Sequence, residues 1–165
     1  MTPNTPPLRV LTLCLGNICR SPLAEALLRR ELEAAGVRAE VDSAGTGDWH
    51  VGRPADPRSI LVARGHGLEL NSRARQLTAQ DFRDFDVILA MDGQNLQDAR
   101  RLAPPDARAS LHLMREWDPQ APGADVPDPY YGGSGAGEMD GFEHVYAMLE
   151  RSAQTLAREL RGPST

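Results

Sequence analysis

Leu8-Arg9-Val10-Leu11-Thr12-Leu13-Cys14-Leu15-Gly16-Asn17-Ile18-Cys19-Arg20-Ser21-Pro22 carries a strand, a turn and a helix start in quick succession. Leu8 to Leu13 is an apolar run with β-branched members and one Arg, which reads as a strand. Gly16-Asn17 is a small-residue turn. Ser21 suits an N-cap and Pro22 the first helical position. The helix that follows places Ala24, Leu27, Leu28, Leu32 and Ala35 on one face, and Gly36 stops it.

Outward from this segment, Val37 to Ser43 alternates as a second strand, and Ala44 to Pro57 is a glycine- and proline-rich loop. A helix is expected over Arg58–His66, ending at Gly67, and a short one over Thr78–Phe82. Asp86–Met91 reads as a buried strand, Asp92–Leu102 as a helix with Asp92 as its N-cap, and Ala109–Leu113 as a short strand. Asp56, before Pro57, also reads as a helix cap. Met114–Gly137 carries Pro119, Pro122, Pro127 and Pro129 and is expected to be a long loop; such loops in compact domains are usually functional or disordered. Phe142, Val145, Tyr146, Leu149, Ala153, Leu156 and Leu160 recur at three- and four-residue steps, the mark of an amphipathic helix. Strands alternating with helices predict an α/β fold, one three-layer domain with a parallel sheet flanked by helices. Ligands bind such sheets beyond the carboxyl ends of the strands, where the Cys14 turn lies. The expected domain spans 8–161, with short tails at 1–7 and 162–165.

Composition narrows the function. The 165 residues suffice for one core without disulfide staples. A net charge of −5 argues against nucleic acid as a partner, and means that local donors must hold any anion. No run approaches the roughly 20 apolar residues that span a bilayer, and the first residues lack the pattern of a signal peptide, so a cytoplasmic protein without membrane contact is expected. The two cysteines, Cys14 and Cys19, are close neighbours, which points to thiol chemistry rather than a structural disulfide framework. His50, His66, His112 and His144 lack ligand spacing and read as surface or packing residues; neither a metal nor another cofactor is expected.

The turn itself has a chemistry. A strand delivers the Cys14 thiol to a tight turn whose backbone N–H groups can form an anion nest. A helix begins at once, so its positive end faces the same spot. Arg20 adds a planar fork matched to two phosphate oxygens. These surroundings favour the thiolate, which can attack phosphorus directly, while the nest stabilises the developing charge on oxygen. Five residues between Cys14 and Arg20 let the loop wrap one phosphate, with Leu15, Gly16, Asn17, Ile18 and Cys19 lining it. Ser21 can donate its hydroxyl to the sulfur. An aryl oxygen leaving from the far side needs a proton donor from another loop. The long loop offers Asp118 and Asp128, each followed by a proline that favours an extended, projecting backbone, and the residues alone leave both open.

Cys14-Leu15-Gly16-Asn17-Ile18-Cys19-Arg20-Ser21-Pro22 resembles the signature of the low-molecular-weight protein tyrosine phosphatases. The resemblance continues through Ser43-Ala44-Gly45-Thr46, Asp56-Pro57-Arg58, His66-Gly67, Ala74-Arg75-Gln76, Asp84-Phe85-Asp86, Met91-Asp92 and Asp128-Pro129-Tyr130-Tyr131. It implies a four-stranded parallel sheet and hydrolysis of protein phosphotyrosine through a phospho-cysteine. It selects Asp128 as general acid, and Trp49, Tyr130 and Tyr131 as the substrate rim, with Leu15 and Ile18 at the entrance. It implies that Cys19 forms a reversible disulfide with Cys14 that protects the nucleophile. The expected partner is a tyrosine-phosphorylated protein, met by a monomer or weak dimer. Ser72-Arg73 departs from relatives with a histidine shortly before Ala-Arg-Gln, which puts in question the hydrogen bonding behind the turn. Three rivals follow. Arsenate reduction on this fold needs further cysteines to relay a disulfide. Phosphoarginine phosphatases typically carry threonine where Ile18 stands. A non-catalytic phosphotyrosine-binding module would lack nucleophile or acid.

Overall fold

A computed structural model describes residues 6–129 and 136–161. Strands β1 (Leu8–Cys14), β2 (Ala39–Gly45), β3 (Val87–Ala90) and β4 (Ser110–Leu113) form one sheet in the order β2-β1-β3-β4. Every pairing is parallel: Leu8 lies opposite Ala39 and Cys14 opposite Gly45, while Val10 lies opposite Val87. The helices are α1 (Arg20–Ala34), α2 (Pro57–Gly65), α3 (Asp81–Asp84), α4 (Gly93–Leu102) and α5 (Ala136–Arg161), with a 3₁₀ turn at Met114–Trp117.

Alternation along β1 divides the core in two. Val10 and Cys14 face α1 and α5, in a layer with Leu23, Leu27, Phe142, Val145 and Leu149. Leu11 and Leu13 face the other way, with Phe82, Phe85, Ile88 and Ala99 from α3, β3 and α4. Period-two side-chain direction therefore puts the thiol on the α1 side of the sheet. The chain leaves β1 toward β2 on one side and reaches β3 on the other, so the carboxyl end of β1 is the switch point of the topology.

Several boundaries differ from expectation for identifiable reasons. β2 runs two residues later than the alternation suggested, because pairing with β1 continues to Gly45 and Leu8 N–H bonds to the Arg38 carbonyl before the ladder begins. Ser21 does not cap α1; the helix opens at Arg20, the Cys19 cap makes no side-chain bond, and the Ser21 hydroxyl turns to the sulfur. Asp56 and Asp92 do cap α2 and α4, accepting from the amides of Arg58 and Asn95. The short helix after residue 78 lies at Asp81–Asp84, with the Asp81 carboxylate accepting from the Thr78 amide ahead of it. Part of the expected long loop is the 3₁₀ turn, and α5 begins at Ala136. Tyr130, Tyr131 and the 162–165 tail lie outside the described residues, as does most of the 1–7 tail. Among the described residues no helix is long and apolar enough to cross a membrane.

Candidate active site

The turn from Cys14 to Arg20 is held open from outside. The carbonyls of Cys14 and Leu15 accept from the amides of Thr46 and Gly47, at 2.9 Å each, and that of Ile18 from Asp56 at 2.8 Å. The Cys19 carbonyl accepts from the Ser59 hydroxyl. Because peptide units are planar, carbonyls drawn outward turn the N–H groups of Leu15, Gly16, Cys19 and Arg20 inward. The Asn17 amide already donates to Cys14 Sγ, at 3.2 Å. The result is a ring of donors around the sulfur of Cys14, a residue only 2% exposed.

Asn17 stands at φ 58°, a left-handed conformation that asparagine tolerates better than most residues. Its side chain orders the protons beneath the sulfur. The Arg75 amide can only donate, so Asn17 Oδ1 must face it, at 3.0 Å. Asn17 Nδ2 then faces Ser21 Oγ, at 2.8 Å. Ser21 Oγ accepts that bond, which leaves its own hydrogen for Cys14 Sγ, 3.0 Å away. Arg75 is itself clamped by a two-pronged ion pair with Asp81. The support behind the turn thus comes from a backbone amide, and the Ser72-Arg73 departure leaves it in place; Arg73 bonds instead to the Gly52 carbonyl.

Arg20 is 2% exposed. Its Nη1 donates to Asp92 Oδ2 at 2.6 Å and to the Val126 carbonyl at 3.0 Å, which sets the plane of the guanidinium. Nη2 lies 3.4 Å from Asp128 Oδ2. Burial works against its charge, but Cys14, Asp92 and Asp128 outweigh that and raise its pKa. For Cys19, burial comes first and the negative charges of Asp56 and Cys14 add to it, pushing its thiol far up, so it stays protonated. No disulfide joins the two cysteines.

A cleft of about 350 Å³ opens over the turn, lined by Cys14, Leu15, Ile18, Arg20, Trp49 and Asp128 among others. Trp49 is 68% exposed at its edge and lies over Gly47, where any side chain would collide with the indole. Asp118 has a different place. It is fully buried and accepts from Arg115, Arg151 and the Gln120 amide. Burial pushes its carboxyl up, but those bonds, Arg151 foremost, hold it below the usual carboxylate range. It is absent from the lining of the cleft.

Sequence reading missed three participants. Asp92, read only as a cap, also orients Arg20; its position at the carboxyl end of β3 was the available signal. His50 lines the cleft and lies over Gly16. Val126 had no signal, since it acts through its carbonyl. Among the described residues no group of three or more His, Cys, Asp or Glu could hold a metal ion.

Fold and site together define a class: a parallel α/β protein with a thiol at the centre of an oxyanion cradle. The chain belongs to the low molecular weight phosphotyrosine protein phosphatase family, whose family model matches residues 9–163. It is 43% identical over 156 residues to the low molecular weight phosphotyrosine protein phosphatase of Schizosaccharomyces pombe, covering 93% of this chain and 97% of that one. The crystal structure of Primo-1 is similar with a TM-score of 0.86 and 40% identity, covering 92% and 97% of the two chains. A Drosophila arginine phosphatase is similar at a TM-score of 0.85 and 31% identity, covering 95% and 100%.

Proposed function

We propose that the protein hydrolyses phosphotyrosine in proteins, with Cys14 as nucleophile, Arg20 as phosphate clamp and Asp128 as general acid. The observation that carries this reading is the Cys14–Ser21–Asn17 chain, which directs two hydrogens at a sulfur ringed by amides. The phosphate seats in the cradle, with two oxygens on the Arg20 fork. Cys14 sulfur attacks phosphorus as the bond to the tyrosine oxygen breaks, and Asp128 passes its proton to that oxygen. The Asp128 carboxylate then takes a proton from water as the water oxygen attacks phosphorus. The S–P bond breaks, releasing phosphate and restoring the thiolate, which Ser21 and the Asn17 amide receive. The inward N–H groups stabilise the phosphoryl oxygens in both steps. Thiolate, amides and guanidinium supply all the charge this chemistry needs.

Position favours Asp128 over Asp118, because Asp128 lines the cleft beside Arg20 while Asp118 is enclosed by arginines. Ile18 and Trp49 give the entrance apolar walls suited to a flat aromatic ring, with Tyr130 and Tyr131 proposed to complete the rim. Cys19, protonated beneath the turn, is the proposed resolving thiol: peroxide oxidises Cys14 to a sulfenic acid, and Cys19 displaces water from it to form a disulfide that a cellular thiol later reduces. A reducing compartment such as the cytoplasm keeps both cysteines ready. The proposed unit is a catalytic domain of residues 8–161, acting as a monomer or weak dimer.

The test compares phosphotyrosine, phosphoserine and phosphoarginine peptides with the parent enzyme, Cys14→Ser and Asp128→Ala. Hydrolysis of phosphotyrosine alone is expected. Cys14→Ser should abolish it, and Asp128→Ala should slow phenyl phosphate by about 10²–10⁴ while slowing p-nitrophenyl phosphate less, since the better leaving group needs less help. Preferred hydrolysis of phosphoarginine, or full turnover by Cys14→Ser, would refute the reading.

A further inference from the structure

The loop that carries Asp128 is tied at several points, and one side chain joins them. Arg115 sits in the 3₁₀ turn after β4 and is 8% exposed. Its Nε donates to Asp118 Oδ2 at 2.9 Å, where the loop begins. Its Nη1 donates to the Asp125 carbonyl at 2.8 Å, where the loop turns back toward the sheet. Its own carbonyl accepts from the amides of Asp118 and Gly123, at 3.1 and 2.8 Å. The residue next to Asp125 is Val126, fully buried. The Val126 amide bonds to the Met91 carbonyl at the end of β3, and its carbonyl holds Arg20. Asp128 follows two residues later. A buried guanidinium thus spans the loop and fixes the limb from which both the Val126 carbonyl and Asp128 project.

Arg151 of α5 meets the same Asp118 carboxylate, at 3.0 and 3.1 Å, and donates both of these hydrogen bonds at the start of the loop, away from the returning limb. The two arginines therefore differ in what they order. Arg151 fastens the start of the loop to α5, whereas Arg115 ties that start to the limb leading to Val126 and Asp128.

We infer that Arg115 is a positioning residue for the proton-transfer step, holding Asp128 over the leaving oxygen through the Asp118–Asp125 brace. The inference rests on the assignment of Asp128 as the acid. Misplacing a reacting group by about 1 Å can cost on the order of 10²-fold, and the loss falls where the proton matters most. Losing the brace should slow a poor leaving group more than a good one.

The experiment measures kcat for phenyl phosphate and p-nitrophenyl phosphate with Arg115→Met, Arg115→Lys, Arg151→Met and Asp128→Ala, each checked for folding by circular dichroism. In Arg115→Met the phenyl-to-nitrophenyl ratio should fall by about tenfold. Lysine offers no fork for two partners, so Arg115→Lys should shift the ratio the same way but less; it keeps the test open if the methionine variant fails to fold. Arg151→Met should melt earlier with its ratio unchanged. An unchanged ratio in folded Arg115 variants, or an equal fall in Arg151→Met, overturns the inference. If Asp128→Ala itself leaves the ratio unchanged, the acid assignment fails first, and the inference falls with it.

Discussion

At the scale of single residues, chemistry here depends on which way a peptide unit or a hydroxyl points. Cys14, Arg20 and Ser21 were legible in the sequence because their types and spacing have few other uses. The orientation of Asn17 was not, since it follows from the amide of Arg75, 58 residues away. Gly45 shows the same limit. A Cβ there would lie 2.8 Å from the Leu15 carbonyl oxygen and 3.1 Å from the Gly16 carbonyl carbon, both backbone atoms of the cradle. Gly45→Ala should therefore push the turn inward and weaken vanadate inhibition by about tenfold, or 1.4 kcal/mol, while the protein stays folded. An unchanged inhibition constant would show that the cradle absorbs the methyl.

At the scale of elements, the loop that carries Asp118 and Asp128 is held by two neighbours, the 3₁₀ turn and α5. Asp118 and Asp128 look alike in sequence, each before a proline on one loop. Tertiary contacts separate them, giving Asp118 two arginines and Asp128 a place on the cleft. Because folding lowers the pKa of Asp118, its contribution is present above the unfolded value, about 3.9, and is lost as pH falls through the lower folded value. Asp118→Asn leaves two guanidinium groups poorly matched and should cost about 3–5 kcal/mol at neutral pH. Thermal melts at pH 7 and pH 3 should show the gap between parent and variant closing toward acid. A gap independent of pH would mean that the loss comes from packing and not from charge.

At the scale of the whole molecule, α5 packs on one face of the sheet, and none of its described side chains lines the cleft. Leu149 is fully buried there, among α1 and β1 side chains. Leu149→Ala should cost about 2–5 kcal/mol and lower the melting temperature by roughly 5–20 °C. Turnover of p-nitrophenyl phosphate well below the melt should persist; a matching loss of kcat would tie α5 packing to the site. The succession of strands and helices along the chain, the thiol turn at the carboxyl end of the first strand and the Cys14–Arg20 spacing were determined by the sequence alone, because periodicity and turn chemistry act over a few residues. The separate surroundings of Asp118 and Asp128, the second duty of Asp92 and the carbonyl grip of Val126 on Arg20 were decided only when distant segments met. A hydrogen bond between residues 20 and 126 leaves no mark in either local pattern, and nothing but packing brings its partners within reach.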